Sequence, residues 1–252
     1  MSSTAPSVDY GAAPIPIRDD LALSHGLVLS HVSTAGTWWT AAERIAIAGS
    51  ARHARSCPFC AERKAALSPY AVDGVHQDES GLDPTVVDVI HRVTTDPGRL
   101  SHRWYEQAIA SDGLDPERFV EAIAVAVLIT AIDTFARAVG VDPIPLPEPR
   151  PGAPTGGSQT DLEHERAWVP RLTPGGANWV AAFGERADVA EVERGLSLVP
   201  SELRTLTAFA RVHYMAFENV TRPHYVEPGR AIDRVQTEFV ASRVSAYNDC
   251  FY

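Results

Sequence analysis

Two cysteines three positions apart are the residues of this chain with the most evident chemistry. The segment Cys57-Pro58-Phe59-Cys60 places both thiols on one turn, where they can form a disulfide with little backbone movement. Proline is typical of the first position of a helix, and a helix beginning at Pro58 would stabilise a thiolate through its amides and its dipole. Nearby positive charge comes from Arg55, Arg63 and Lys64. The motif predicts redox-active thiols, the alternative being two buried, inert side chains.

Two further residues are candidates to work with these thiols. Glu43 precedes Cys57 by fourteen residues and could act as a base or proton relay if the chain folds back. Its alternative role is local, since Thr40-Ala-Ala-Glu43 has the pattern of a capping box that opens a helix. His53 lies four residues before Cys57, on the same helix face, and would either tune a thiol or be a solvated imidazole.

A metal site is the competing use of the cysteine pair. A zinc site needs four ligands, and the nearest spare candidates are His53, His76 and Cys250. The sequence has no second Cys-x-x-Cys and no close pair of histidines. We therefore expect redox chemistry and no bound metal.

Composition restricts the partners and the location. The chain has 252 residues, 45% of them hydrophobic, and a net charge of −10. An acidic chain is repelled by phosphates, so nucleic acid and anionic membranes are poor partners. The N-terminus lacks the pattern of a signal peptide, and the longest apolar stretch, Ala122 to Ile129, is short for a membrane span. We expect a cytoplasmic protein.

The elements that must position these residues read as helices throughout, which predicts an all-α fold. Helix start signals recur along the chain, and no stretch alternates convincingly as a strand would. The longest helix, from Asp115-Pro116 to about Val139, is apolar nearly all round and should be central and buried. The predicted starts are Thr40, Pro58, Asp83, Ser101 and Asp115, with later helices near Val189, from Pro200 to Val220, and from Gly229 to Asn248.

Composition shifts divide the chain into four parts. Residues 1–18 form a flexible arm, 19–142 a first helical module, 143–160 a linker rich in Pro and Gly, and 161–252 a second module. Glu238 precedes Cys250 on a predicted helix by twelve residues, much as Glu43 precedes Cys57. A duplicated helical module would explain this repeat.

The arrangement Glu43…Cys57-Pro58-Phe59-Cys60 resembles the signature of the alkylhydroperoxidase D-like superfamily, which includes the carboxymuconolactone decarboxylases. The resemblance covers about residues 20–145 and is strongest at the motif and at 92–140. Residues 234–252 are similar to a second copy that stops in mid-motif at Cys250-Phe251-Tyr252. Some relatives carry selenocysteine as the last member of that motif, so we expect the reading frame to continue past a selenocysteine codon.

The resemblance implies an all-α helical bundle and an antioxidant, thiol-dependent peroxidase. Cys60 would attack a hydroperoxide, Cys57 would resolve the sulfenic acid to a disulfide, and Glu43 would act as base. An external dithiol or thioredoxin-like protein would reduce the disulfide, and no cofactor is expected. Helix-dipole reasoning alone favours Cys57 as the more ionised thiol. Lys64 stands where the family has a histidine, so either His53 or His76 replaces that histidine or the first module keeps only a structural or reducible disulfide.

Two other functions remain compatible with the same scaffold. One is a decarboxylase or another small-molecule enzyme, including one with haem or iron in a histidine-lined pocket, because fold does not fix chemistry. The other is a non-enzymatic, redox-sensing interaction protein. Helical modules of this family bury apolar faces in symmetric oligomers, so a homodimer or homotrimer is expected.

Overall fold

The computed structural model describes residues 6–165, 167–187, 189–216 and 219–248. The described residues are mostly helical, which confirms the all-α class, and their one sheet is a short antiparallel pair, β1 (Leu162–Glu163) and β2 (Arg171–Leu172). The helices are α1 (Asp19–Val32), α2 (Ala41–Ala54), α3 (Pro58–Ala65), α4 (Pro84–Thr95), α5 (His102–Ile109), α6 (Pro116–Ala138), α7 (Trp179–Phe183), α8 (Glu191–Arg194), α9 (Pro200–His213) and α10 (Arg234–Tyr247). Single 3₁₀ turns span Pro69–Ala71 and Pro97–Arg99.

The five helix starts predicted from Thr40 to Asp115 lie where the local signals place them, but the last helix begins at Arg234 and not at Gly229. The Thr40 side chain accepts from the Glu43 amide while the Glu43 carboxylate accepts from the Thr40 amide, a complete capping box. Asp115 caps α6 by accepting from the Arg118 amide at 2.8 Å. These caps satisfy helix amides that have no partner within the helix.

The core is built around α6, which packs against α2 and α4. Val125, Leu128, Ile129 and Ile132 of α6 are all fully buried, as predicted for a central helix. The helix is long and apolar enough to cross a membrane, yet 67% of its apolar window is buried within the fold. That degree of burial is the pattern of a core helix in a soluble protein.

Residues from the second half of the chain complete the same core. Leu198, Val199 and Phe209 join the buried cluster formed by α1, α2, α4 and α6, and α9 packs along α1. The proline-rich segment 143–160 lies as a strap over the first half, with the Arg150 amide donating to the Ser33 carbonyl at 2.7 Å. The predicted second module stays a prediction from the sequence.

Several local predictions need correction. Asp133 and Arg137 are four residues apart on α6, a spacing that predicts an ion pair between them. Instead, both oxygens of Asp133 accept from Arg52 of α2 at 2.8 Å. The helix predicted from Pro200 to Val220 ends at His213. Residues 6–18 contain no helix, as expected of the N-terminal arm, but Tyr10 is buried and its hydroxyl lies 2.5 Å from Nδ1 of His25.

Candidate site of two thiols and two imidazoles

The two cysteines lie at the junction between α2 and α3. The chain leaves α2 at Ala54, turns, and begins α3 at Pro58, so Cys57 is the residue that caps α3 and Cys60 lies in its first turn. Both cysteines are free and buried, with 1% of Cys57 and 4% of Cys60 exposed. The predicted helix mouth is therefore confirmed, whereas solvent exposure of the sulfurs is not.

Two histidines meet the sulfurs. Nδ1 of His76, from the loop between α3 and α4, lies 3.6 Å from Sγ of Cys57 and 3.5 Å from Sγ of Cys60. Nδ1 of His91, from the middle of α4, lies 3.2 Å from Sγ of Cys60. The two sulfurs and two nitrogens all lie within 4.8 Å of one another.

Each imidazole is held by a carboxylate on its far side. Nε2 of His76 lies 3.0 Å from Asp88, which also accepts from Arg63 and, at 3.1 Å, from Nε1 of Trp104. Nε2 of His91 lies 3.1 Å from Asp78. These contacts orient both rings with Nδ1 directed at the sulfurs.

The loop that carries His76 is packed tightly against α3. A Cβ atom at Gly74 would lie 2.6 Å from the Phe59 ring, so only glycine allows the backbone to pass this close. The Arg63 guanidinium covers the other part of the ring at 4.1 Å from its centroid. Phe59, the residue between the two cysteines, thereby fixes the approach of the loop to the thiols.

The surroundings separate the acidities of the two thiols. Burial opposes ionisation of Cys57, but hydrogen bonds from the amides of Cys60 and Gln77 and from His76 outweigh it and lower the pKa to about 7. Burial and the neighbouring charge of Cys57 raise the pKa of Cys60 to about 12. The first cysteine of the motif is therefore the more readily ionised one.

The two imidazoles also differ. Burial alone would lower the pKa of His76, but its hydrogen bonds to Asp88 and Cys57 reverse the shift and raise it. His91 is fully buried, and burial lowers its pKa to about 4 despite the contact with Asp78. The contacts with Asp88 and Cys57 therefore favour the protonated form of His76, whereas burial favours the neutral form of His91.

A cleft of about 780 Å³ lies beside the site. Its lining includes His53, His76 and Asp78. The His53 and His91 rings lie 6.0 Å apart between centroids, so the structure places His53 next to the cluster but not in contact with a sulfur. His76, which lines the cleft and touches both sulfurs, is the group that connects the thiols with solvent.

Other residues predicted from the sequence lie elsewhere. Glu43 is in the first turn of α2, and the rise of a helix puts it about 16 Å from Ala54 at the other end. Its carboxylate is used by the capping box, so its local alternative role is the observed one. Glu238 lies on α10 and pairs with Arg234 at 3.4 Å, while Cys250 lies outside the described residues. Lys64 is exposed.

Sequence reasoning missed His91 and named His76 only as a spare metal ligand and as one of two possible replacements for the histidine of the family. Both follow the cysteines in the order Cys-x2-Cys-x15-His-x14-His, a succession that is itself compatible with zinc ligation. The spacing between the two histidines is longer than in compact zinc fingers, and only the packing of α4 beside α3 shows that His91 returns to the thiols.

Comparison of the chain with models of protein families, with curated proteins and with solved structures finds no match. The site therefore has to be interpreted from its own geometry.

Proposed function

We propose that this protein is a thiol–disulfide oxidoreductase that reduces hydroperoxides with the Cys57–Cys60 pair. The observation that carries the proposal is the position of His76, whose Nδ1 lies within hydrogen-bonding distance of both sulfurs while its ring lines the adjacent cleft. The resemblance to alkylhydroperoxidase D-like proteins supports hydroperoxide as the substrate. Cytoplasmic location and assembly into a dimer or trimer belong to the same proposal.

The environment favours Cys57 as the attacking thiol, the reverse of the order that the resemblance implies. Cys57 lies at the N-terminal end of α3, where the amides of Cys60 and Gln77 and the His76 ring favour its thiolate. Burial and the charge of Cys57 oppose ionisation of the Cys60 thiol. His76 rather than Glu43 is positioned to act as the base, because it contacts the Cys57 sulfur and is itself oriented by Asp88.

The reaction balances as two steps. The Cys57 thiolate attacks one peroxide oxygen, the O–O bond breaks, and the released alkoxide takes a proton, which leaves an alcohol and Cys57 sulfenic acid. The Cys60 thiol then attacks the Cys57 sulfur, forming the disulfide and releasing water. An external dithiol restores both thiols by exchange.

The test uses the full chain with Cys250→Ser, so that Cys57 and Cys60 are the only cysteines left of the three. We expect consumption of an alkyl hydroperoxide with a dithiol donor, and intact-mass evidence of a Cys57–Cys60 disulfide after a single peroxide addition. Cys57→Ser should abolish both, whereas Cys60→Ser should leave a sulfenic acid on Cys57 that dimedone labels. Equal peroxide consumption by Cys57→Ser and its parent would overturn the proposal.

A further inference from the structure

We infer that Cys57, Cys60, His76 and His91 form a tetrahedral binding site for Zn²⁺. The four ligand atoms, two sulfurs and two Nδ1 nitrogens, converge within 4.8 Å of one another. This inference goes beyond the proposed function and does not depend on it, because zinc binding requires no peroxide and no external reductant.

Three of the six separations between the ligand atoms are close to those of a zinc site. Zinc bonds of about 2.3 Å to sulfur and about 2.0–2.1 Å to nitrogen, at tetrahedral angles, separate a sulfur from a nitrogen ligand by about 3.6 Å. The observed separations from His76 are 3.6 Å to Cys57 and 3.5 Å to Cys60. The third, from His91 to Cys60, is 3.2 Å, a few tenths of an ångström below that value. The remaining separations are all within 4.8 Å.

The carboxylates that hold the two histidines also fit a metal site. Histidines that bind a metal through one nitrogen commonly hold a carboxylate with the other, which fixes the ring and raises its basicity. Here both rings have that arrangement, His76 with Asp88 at 3.0 Å and His91 with Asp78 at 3.1 Å. Two carboxylate–imidazole pairs on different parts of the chain thus direct their free nitrogens at one point.

His91 is the residue that dithiol chemistry alone leaves unexplained. Exchange between two thiols needs at most one neighbouring base, and His76 already occupies that position. His91 has no exposed surface and directs Nδ1 at a sulfur rather than at the cleft. As a fourth ligand it completes the coordination that zinc prefers in closed, structural sites.

The ligand types select zinc among the common divalent ions. Thiolates and imidazoles are poor ligands for Mg²⁺ and Ca²⁺, which prefer oxygen, and a tetrahedral set of two sulfurs and two nitrogens is typical of Zn²⁺. A bound ion would join α3, the loop from 66 to 83 and α4 through ligands from each. That loop exposes apolar side chains such as Leu67 and Val75 and gains an anchor at His76.

Zinc and the disulfide are alternative states of the same sulfurs, so the test must begin from fully reduced protein. The full chain with Cys250→Ser is reduced with a phosphine, stripped of metal with a chelator and titrated anaerobically with Zn²⁺ against a chromophoric chelator. We expect one equivalent bound. With Co²⁺ instead, we expect the intense visible bands of tetrahedral cobalt and a thiolate charge-transfer band in the near ultraviolet.

Variants in the same background locate the ion. Cys60→Ser should remove the thiolate band of that sulfur and reduce affinity strongly, and Asp78→Asn, which leaves all four ligands in place, should reduce it about 10- to 100-fold. His53→Gln is the matched control, an imidazole beside the cluster whose loss should leave affinity and stoichiometry unchanged. Circular dichroism of each stripped variant verifies that it is folded.

Substoichiometric binding to the folded parent protein would overturn the inference, and so would equal affinity in the parent and in folded Cys60→Ser. Neither result bears on peroxide reduction when the peroxide assay uses protein that has been stripped of metal in the same way. Conversely, a protein that binds one equivalent of zinc but consumes no peroxide would rule out the proposed enzymatic function and still support the zinc site.

Discussion

A single arginine at the centre of the fold offers the sharpest test of the architecture. Arg44 of α2 donates to Glu121 of α6 at 2.5 Å and to Glu202 of α9 at 2.9 Å, and none of the three side chains is exposed. Glu121 also accepts from the Trp38 amide, and Glu202 lies 2.9 Å from His31. Replacing Arg44 by Met keeps the volume roughly constant but removes the positive charge between two buried carboxylates.

The expected cost follows from the burial. Breaking a buried ion pair by removing one partner typically costs about 3–5 kcal/mol, because the charge left behind has no compensation. Unfolding entropy of about 2.1 cal/mol/K per residue amounts to about 0.5 kcal/mol/K for a chain of 252 residues. Arg44→Met should therefore lower the thermal midpoint by about 6–10 °C.

The measurement is thermal and urea unfolding followed by circular dichroism at pH 7. Arg204→Met, on the exposed face of α9, is the matched control and should change stability by no more than about 0.5 kcal/mol. Combining Arg44→Met with Glu121→Gln and Glu202→Gln should recover much of the loss, since no buried charge then remains. An Arg44→Met midpoint equal to that of the control would refute the buried ion cluster and the packing of α9 against α2 and α6.

Two further outcomes follow from other parts of the structure. Burial lowers the pKa of both His25 and His213 to about 4, so between about pH 6.5 and 4 the unfolded chain binds more protons than the folded chain. Stability should therefore fall as the pH drops through that window. Unfolding midpoints from pH 7.5 to 4.5 measure this fall, and a His213→Phe variant with the same pH slope as wild type would contradict it. Thr40→Ala should cost about 1 kcal/mol through the lost cap, whereas Glu43→Gln should nearly keep the stability, because glutamine also completes a capping box. Glu43→Gln should also leave the rate of thiol alkylation unchanged, and a slower rate would restore Glu43 as a base for the thiols.

Local sequence patterns predicted well where helices start, but they predicted poorly which side chains pair between helices. Thr40 and Asp115 each accept from an amide three residues away, so their patterns are complete within a few positions. The partner of Asp133 is Arg52, 81 residues distant, and the sequence offered the nearer Arg137 instead. A pairing that depends on how α2 and α6 pack contains no local signal.

The same limit applies to the candidate site. The spacing of Cys57 and Cys60 and the proline between them predicted two thiols at the start of a helix, which the structure confirms. His91 could not be assigned, because it reaches Cys60 only through the packing of α4 against α3 and has a polar partner, Asp78, in another segment. On the sequence it is a histidine on an apolar helix face, which is indistinguishable from a core residue.

The scaffold behind the thiols draws on both halves of the chain. Five residues before Cys57, Arg52 binds both oxygens of Asp133 and donates to the Ile144 carbonyl of the strap at 2.6 Å. The strap thus satisfies a guanidinium at the end of α2 that leads into the site, and a buried polar group at this place would be costly if left unpaired. At the other end of the same helix, Arg44 depends on Glu202 from α9. Since α2 is fixed at one end by the strap and at the other by α9, residues beyond position 142 hold the helix that delivers Cys57 to its imidazoles.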